Sequence, residues 1–206
     1  TNDLKGILNY QIEQIGFNPE YRVLDAGCGV CGPARHFARE TGCTIDAVTV
    51  SESQLNASRQ HIANEQLQDK VTVHLQDYHE VDKLFPKETF DKVYFLESFG
   101  HSTDKEKLLK AIWKVLKPGG EVYIKDLFRR VSKNWLVQRK IDSEIKKIND
   151  AYFYDVADLN KFVDMVRELG YVIVFIKTID IPLDDFENLS ISNEFQENSK
   201  HLMVSY

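Results

Sequence analysis

The sequence has 206 residues, of which 43% are hydrophobic and 28% are charged, and its formal net charge is −6. This size and composition predict one soluble globular domain, and the lack of long basic runs argues against a nucleic-acid-binding protein. No apolar stretch reaches the roughly 20 residues that a membrane span needs and no signal peptide is visible, so we predict a cytoplasmic protein.

The first half of the chain alternates helical and strand patterns. Apolar residues recur at helical spacing from Leu4 to Ile15, which predicts an amphipathic helix over residues 3–16. Ser51 and Gln54 form a capping-box pattern at the start of another helix. Further helices are predicted up to about residue 39 and over 104–116, the latter stopped by Pro118-Gly119-Gly120. Strands are predicted at residues 22–25, 44–50, 71–75, 90–96 and 121–125.

The pattern changes after Asp126. Residues 131–149 and 158–169 have helical character, whereas residues 171–179 form a β-branched and aromatic run and residues 201–206 resemble a last strand. The alternation of strands and helices predicts an α/β fold: a Rossmann-like, seven-stranded, mostly parallel sheet with helices on both faces and an antiparallel C-terminal edge hairpin. We expect a single domain over residues 1–206, with a cofactor-binding core at 21–126 and a substrate-side region with the edge hairpin at 127–206.

A glycine-rich loop follows the first predicted strand and opens a helix: Val23-Leu-Asp-Ala-Gly27-Cys-Gly29-Val-Cys-Gly32. Its spacing also describes dinucleotide-binding loops, or a turn whose glycines serve packing alone. Glycine lets the backbone approach a ligand closely, and the helix behind it offers free N–H groups. Asp25, two residues before Gly27, would repel a pyrophosphate and would favour the ammonium and sulfonium of S-adenosylmethionine.

Two cysteines of the same loop, Cys28 and Cys31, have the spacing of a redox pair or of half a zinc site. No second Cys or His pair completes a tetrahedral site, so no metal site is predicted. With Cys43 the count is odd and low, which does not fit a secreted disulfide framework. We interpret both loop cysteines as small packing residues.

Two more strand ends carry candidate nucleotide contacts. Dehydrogenases place an acid for the ribose hydroxyls after the second strand, where this chain has Thr49. Asp46 lies at about the right count from Gly27 but inside the strand, so it stays open as a ribose acid. After the third strand, Asp77 can accept a hydrogen bond from an adenine amino group, with Tyr78 beside it to stack.

Taken together, these residues resemble the class I S-adenosylmethionine-dependent methyltransferases from about Tyr21 to Phe128. The resemblance includes the glycine loop, Asp77, the pair Phe90-Asp91 and the segment Leu116-Lys-Pro-Gly-Gly120. It implies S-adenosylmethionine as the cofactor. The cofactor-binding residues that it implies are Asp25, Gly27, Gly29, Thr49, Val50, Gln54, Gln76, Asp77, Tyr78 and Glu97.

A narrower resemblance points to the sterol and tocopherol C-methyltransferases. It is carried by Val48-Thr-Val-Ser-Glu-Ser-Gln54, by Glu97-Ser-Phe-Gly-His101 with Asp104-Lys105, and by Ile148-Asn-Asp-Ala-Tyr152. Alkaloid N-methyltransferases share this branch, so the methylated atom stays open. The chain begins close to the glycine loop, and we therefore expect the helical cap that precedes it in the family to be shortened or missing.

The resemblance places the chemistry in the segment after the fourth strand. Glu97 and His101 lie four residues apart and share a side if the segment is a helical turn. Glu97 would stabilise a carbocation during C-methylation, and His101 would act as general base during N- or O-methylation. Phe99, Tyr152 and Tyr154 are candidate acceptor-binding residues, because aromatic faces hold apolar or cationic groups, although core packing is their alternative role.

We therefore predict methyl transfer to a small apolar acceptor of terpenoid, sterol or prenyl type, with C-methylation favoured. N- or O-methylation of an amine, alkaloid or phenol is the alternative. A nucleic-acid or protein methyltransferase, a nicotinamide-dependent dehydrogenase and a non-catalytic cofactor-binding protein are further alternatives. The segment Leu96-Glu-Ser-Phe99 lacks the Pro-Pro pair typical of amino-methylating nucleic-acid enzymes.

Overall fold

The computed structural model describes residues 4–178. These residues form two compact units. The first unit contains residues 4–99 and 104–126, and the second contains residues 100–103 and 127–178. Each unit is described by itself below.

The first unit alternates helices and strands along the chain. Its helices are α1 (Leu4–Ile15), α2 (Gly32–Thr41), α3 (Glu52–Asn64), α4 (Val81–Leu84) and α5 (Lys105–Val115). Its strands are β1 (Arg22–Ala26), β2 (Thr44–Thr49), β3 (Val71–Leu75), β4 (Phe90–Leu96) and β5 (Leu116–Lys125). A 3₁₀ turn, Tyr78–Glu80, precedes α4, and another, Phe99–His101, follows β4.

The five strands form one parallel sheet in the order β3-β2-β1-β4-β5. Successive strands are added on one side of β1 up to β3, and then on its other side from β4 onward, so the strand order reverses between β1 and β4. These two parallel strands pair so that Asp25 lies opposite Tyr94. In such sheets ligands bind in the crevice outside the carboxyl ends of the strands, at this switch point. The topology therefore brings the segments that follow all five strands to one edge of the sheet.

Helices cover both faces of the sheet, as the sequence predicts. On one face, apolar residues of α1, α2 and α3 pack on Val23, Ile45 and Val73 in the main core cluster. On the other face, the rings of Phe85 and Phe90 lie 4.8 Å apart in an edge-to-face contact. Side chains alternate between the faces of a strand, so residues of both faces are buried in β1, β2 and β4.

Local signals fix several of these boundaries. The Ser51 hydroxyl accepts a hydrogen bond from the Gln54 N–H at 3.3 Å and caps α3, which confirms the predicted helix start. Asp104 caps α5 in the same way through the Lys107 N–H at 2.9 Å. The fifth strand begins earlier than predicted, because Leu116 already pairs with Phe90 and the Pro-Gly-Gly segment lies within the strand, next to a register shift.

The second unit contains short strands and two helices. Its elements are β6 (Phe128–Arg129), α6 (Trp135–Tyr152), β7 (Ala157–Asp158) and α7 (Leu159–Glu168). The two strands pair in parallel through Phe128 with Ala157. Asp158 caps α7 through the Asn160 N–H at 3.0 Å.

The α/β Rossmann-like architecture is confirmed, but the predicted seven strands and edge hairpin are not. Residues 171–178 form no strand, and residues 201–206 lie outside the described part of the chain. A β-branched composition favours a strand only where a neighbouring strand supplies hydrogen bonds and packing, and 171–178 pairs with none of the described strands. Within residues 4–178, no helix is long and apolar enough to cross a lipid bilayer.

Candidate active site

Three residues converge at the switch point between β1 and β4. The Ser98 hydroxyl donates a hydrogen bond to the Ala26 carbonyl oxygen at 2.6 Å and so ties the two strand ends together. The Tyr78 hydroxyl donates to the Ser98 carbonyl oxygen at 3.3 Å. Gly27 packs against both side chains, so the first glycine of the loop forms part of a closely packed crevice floor.

The first two glycines of the loop, Gly27 and Gly29, have different surroundings. Gly27 has φ +95°, and a Cβ built on it would lie 2.6 Å from the Ser98 Cβ. Gly29 has φ +53°, and nothing lies within 4 Å of the position of its Cβ. Gly27 is therefore required by packing, whereas Gly29 faces open space in which a ligand can approach the backbone.

Asp25 is buried at the end of β1, with 3% of its surface exposed. Burial raises the pKa of its carboxyl to about 7, and the nearby Tyr94 hydroxyl offsets part of that rise. The Tyr94 hydroxyl is itself buried, and among the described residues no partner is placed to form a hydrogen bond with it. The carboxyl group next to the loop is therefore present in both its neutral and its charged form near pH 7. A nearby cation would favour the charged form.

The end of β2 presents a hydrogen-bonded pair. The Thr49 hydroxyl donates to the Gln54 Oε1 at 2.7 Å and also accepts from the Ser51 N–H at 3.2 Å. Thr49 is buried, while the Val50 side chain beside it is exposed. The structure therefore brings together the predicted pair of Thr49 and Gln54 and makes Thr49 the residue that positions the Gln54 amide.

Asp46, left open as a ribose acid, has a different role. Its carboxylate accepts hydrogen bonds from the Arg22 Nε at 2.7 Å and bonds to the His74 Nε2 at 2.9 Å, on the two neighbouring strands. Burial alone would raise the pKa of Asp46, but these two partners outweigh it and hold the pKa below its usual range. Asp46 is a buried structural ion-pair residue in the middle of the sheet.

The end of β3 carries the predicted adenine contacts. Asp77 Oδ1 accepts from the His79 N–H at 2.8 Å and bonds to the His79 Nδ1 at 2.7 Å. Burial tends to raise the pKa of Asp77, but the His79 contacts lower it below its ordinary value. The Gln76 Oε1 accepts the Asp77 N–H at 3.1 Å. Half of the Asp77 side chain stays exposed, so an ionised carboxylate is presented at the strand end.

Glu97 directly follows β4 in a left-handed backbone conformation, with φ +57°. Its N–H donates to the Lys125 carbonyl oxygen at 2.9 Å, and its carboxylate forms an ion pair with the Lys125 ammonium. The carboxylate nevertheless stays 68% exposed. A charged group is thus held at the crevice by the backbone of the neighbouring strand, with its side chain accessible to solvent.

The second unit contains the other predicted catalytic residue. His101 Nδ1 donates to the Phe153 carbonyl oxygen at 3.3 Å, and its ring lies 4.3 Å from the Tyr154 ring. The Gly100 carbonyl oxygen accepts the Asp155 N–H at 2.6 Å. The structure therefore brings His101 together with the predicted acceptor residue Tyr154. Tyr152 lies at the end of α6 and is 37% exposed.

Phe99 does not present a surface to an acceptor. It is 1% exposed, and its ring packs edge-to-face on Phe95 at 5.4 Å. Its predicted role in substrate binding therefore has no exposed aromatic face to support it in this structure.

The sequence reasoning gave no role to three residues that shape the site. Ser98 bridges β1 and β4, Lys125 pairs with Glu97, and His79 orients Asp77. Lys125 and Ser98 act across neighbouring strands, so the strand register is needed to find them. His79 lies two residues after Asp77, and an Asx-turn pattern at the strand end was the available signal.

A surface cavity of about 590 Å³ lies between α5 and the segment of residues 79–83. Its lysines pair with acids: Lys114 with Asp82 at 2.7 Å and Lys110 with Glu106 at 2.5 Å. We therefore regard it as a solvated ion-pair surface. Among residues 4–178, no cluster of His, Cys, Asp and Glu has the arrangement of a metal site.

Comparison with known proteins places the fold and the motifs in one family. Residues 23–120 match the family model described as "Methyltransferase domain". The chain is 34% identical over 118 residues to "Methyltransferase GfsG" of Streptomyces halstedii, covering 57% of this chain and 42% of that protein. It is 33% identical over 153 residues to a sterol 24-C-methyltransferase of Clavispora lusitaniae, covering 73% of this chain and 38% of that protein. The chain thus spans about two fifths of these curated relatives.

A solved structure supports the fold. The geranyl diphosphate C-methyltransferase from Streptomyces coelicolor matches with a TM-score of 0.68 at 18% identity, covering 80% of this chain and 57% of that one. The parallel sheet, its switch point and the glycine loop define a nucleotide-binding α/β domain, and the matches to methyltransferases identify it as one of the class I S-adenosylmethionine-dependent methyltransferases. Residues 23–120 belong to the methyltransferase-domain family, as the sequence predicts. Within that family the chain is similar to sterol C-methyltransferases.

Proposed function

We propose that this chain transfers a methyl group from S-adenosylmethionine to a small, apolar acceptor of sterol, terpenoid or prenyl type. The observation that carries the proposal is the set of acids at the carboxyl edge of the sheet, where Asp25 lies near the end of β1 and Asp77 and Glu97 follow β3 and β4. A cationic cofactor is attracted to such a set of acids, whereas a pyrophosphate is repelled. The net charge of −6 also favours a small-molecule acceptor over a nucleic acid.

The residues present fit this cofactor. Gly29 leaves open space beside the loop, where a Cβ would intrude on a ligand. Asp77 would accept from the adenine amino group, and the Gln54 amide, positioned by Thr49, would serve the ribose hydroxyls. Asp25 and Glu97 would face the positively charged end. The bound cofactor supplies an electrophilic methyl group on a sulfonium. The chain's own residues would orient the cofactor and balance its positive charge.

A calorimetric titration tests the cofactor assignment. We expect S-adenosylhomocysteine to bind saturably at one site and NAD to show no heat of binding under the same conditions. The expected reason is the carboxylate pattern, which disfavours the two phosphates of NAD. Saturable NAD binding with no binding of S-adenosylhomocysteine would overturn the cofactor assignment and the roles of Asp25 and Thr49.

Glu97 has the position and charge to act on the acceptor. Methylation of an alkene carbon creates positive charge on the acceptor, and a fixed carboxylate stabilises it. The exposed Glu97 carboxylate, steadied by Lys125, is the group we assign to this role. Glu97 is a catalytic residue in this proposal, and Lys125 is a positioning residue.

The Glu97→Gln variant tests the role, and Glu88→Gln is its matched control. Glu88 has φ +56°, almost the same as the φ +57° of Glu97, but lies in the loop before β4. We expect Glu97→Gln to lower turnover by about 100-fold or more while S-adenosylhomocysteine still binds. Glu88→Gln should retain wild-type turnover. The assay measures transfer of a labelled methyl group to a sterol, geranyl diphosphate and a tertiary amine.

N- or O-methylation is the second candidate, and one observation favours it. Because the Phe153 carbonyl oxygen can only accept, His101 Nδ1 carries the proton, and Nε2 of the neutral ring holds a lone pair. His101 is thereby oriented as a general base. In the same assay, His101→Asn keeps a donor toward Phe153 but removes the base. Loss of turnover in His101→Asn with wild-type turnover in Glu97→Gln would favour the second candidate.

A further inference from the structure

Cys28 and Cys31 occupy the glycine loop and are not used in the proposed chemistry. Both are buried, with Cys28 7% and Cys31 0% exposed. The Cys31 N–H donates to the Cys28 carbonyl oxygen at 2.9 Å, which closes a turn between them. Such a turn brings the first and fourth Cα atoms within 7 Å, which overlaps the range that a disulfide spans.

The Cys28 thiol also contacts the backbone of the loop. Interaction with the Cys31 thiol is the largest cause of the raised pKa of Cys28, ahead of burial and the nearby Asp25. The Cys28 Sγ donates to the Gly29 carbonyl oxygen at 3.5 Å, and the Ser58 hydroxyl donates to the same oxygen at 3.4 Å. The Cys28 thiol and the Ser58 hydroxyl therefore hold the carbonyl of Gly29, the glycine that faces open space.

Cys31 also occupies a strained position. Its φ of +57° and ψ of 30° are left-handed, at the residue that begins α2. A side chain in this region is disfavoured relative to glycine.

We propose that Cys28 and Cys31 form a reversible disulfide across the glycine loop, and that this disulfide weakens cofactor binding. The bond would fix the two sulfurs about 2.05 Å apart. It would also remove the S–H that donates to the carbonyl oxygen of Gly29, which lies between the two cysteines. The second half of the proposal rests on the proposed function, since it requires the loop to bind the cofactor.

The oxidant is a low-molecular-weight disulfide such as oxidised glutathione. The Cys28 thiolate attacks one sulfur of the oxidant and forms a mixed disulfide, releasing one thiol. The Cys31 thiolate then attacks the Cys28 sulfur and releases the second thiol. The protein loses two protons and two electrons, and the oxidant is reduced to two thiols. Because the pKa of Cys28 is raised, the closed loop reacts slowly and opening of the loop admits the oxidant.

Peptide mapping reads the bond directly. Cleavage after Arg22 and Arg35 releases residues 23–35, which contain both loop cysteines, whereas Cys43 lies on the separate peptide 40–59. After treatment with oxidised glutathione, we expect peptide 23–35 to lose two hydrogen atoms and to resist alkylation. Reductant should restore two alkylation sites. Cys43→Ser, the matched control, should give the same result on peptide 23–35.

Titration with S-adenosylhomocysteine measures the effect of the disulfide on cofactor binding. We expect oxidation to weaken binding at least tenfold, reductant to restore it, and Cys31→Gly to bind equally with and without oxidant. Glycine suits the left-handed position, so this variant should fold. Cys28→Ala provides a second test of the same kind.

Two results would overturn the proposal. One is a peptide 23–35 that keeps both free thiols under conditions that oxidise the urea-unfolded chain. The other is a formed disulfide with unchanged affinity. If the reduced protein fails to bind S-adenosylhomocysteine at all, the proposed function fails, while the peptide map still decides whether the disulfide forms.

Discussion

Replacement of Gly27 by Ala is expected to destabilise the protein by about 3 kcal/mol or more, because overpacking and a disfavoured backbone add. The new Cβ would lie 2.6 Å from the Ser98 Cβ, and a φ of +95° suits no side chain. Ser98 cannot retreat easily, since its hydroxyl is bonded to Ala26. For a chain of this size, the melting temperature should fall by roughly 6–12 °C.

Gly29→Ala is the matched control. Its φ of +53° is left-handed, but nothing lies within 4 Å of the Cβ position, so the cost should be about 1–2 kcal/mol. The same Cβ would enter the open space of the proposed cofactor site. We therefore expect Gly29→Ala to reduce the free energy of S-adenosylhomocysteine binding by more than it reduces the free energy of unfolding. Equal melting temperatures for Gly27→Ala and the wild type would contradict the packing seen at Ser98.

Replacement of Asp25 by Asn should change how stability depends on pH. Burial raises the pKa of Asp25 from 3.8 to about 7 in the folded protein. Between these values the folded state binds the proton and the unfolded state does not, so stability falls as pH rises. Asn does not titrate. The stability of Asp25→Asn relative to the wild type should increase by about 2.5 kcal/mol between pH 5 and pH 8.

Urea unfolding at several pH values measures this difference, and Asp91→Asn is the control. Burial favours a raised pKa at Asp91, but hydrogen bonds from Lys117 and from the Arg22 N–H together outweigh it and hold the pKa below its ordinary value. Asp91 is therefore ionised in both the folded and the unfolded state above pH 5. The difference in the free energy of unfolding between Asp91→Asn and the wild type should then stay constant with pH. A constant difference for Asp25→Asn as well would show that Asp25 stays charged in the folded protein.

Much of the sheet was predictable because its signals are local. The strands Val71–Leu75 and Phe90–Leu96 match the predicted boundaries, and Ser51 caps the helix that its sequence pattern indicates. Helix α4 has only four residues, too few to show a periodicity, and was not predicted. Residues 171–178 have strand composition but lack a partner among the described strands, and composition alone supplies no hydrogen bonds.

Contacts within the candidate site can be anticipated from sequence only where they join residues that are close together in the chain. Thr49 and Gln54 are five residues apart in one motif and are hydrogen-bonded to each other. Asp46 could not be assigned from sequence, because its partners lie 24 and 28 residues away on other strands. The pairing of Glu97 with Lys125 spans 28 residues and depends on the register of β4 and β5. Cofactor-binding and acceptor-binding assignments remain predictions that the experiments above test.

The anchoring of residue 97 separates the chemistry of the side chain from the pairing of the sheet. The backbone N–H at this position bonds to the Lys125 carbonyl oxygen, a contact that any residue other than proline can make. Its φ of +57° favours glycine, asparagine or aspartate, so the replacements that fit the position without added strain are few. The proposed catalytic carboxylate is thus carried by a backbone contact that does not depend on the side chain, and its removal should lower turnover without undoing the pairing of β4 with β5.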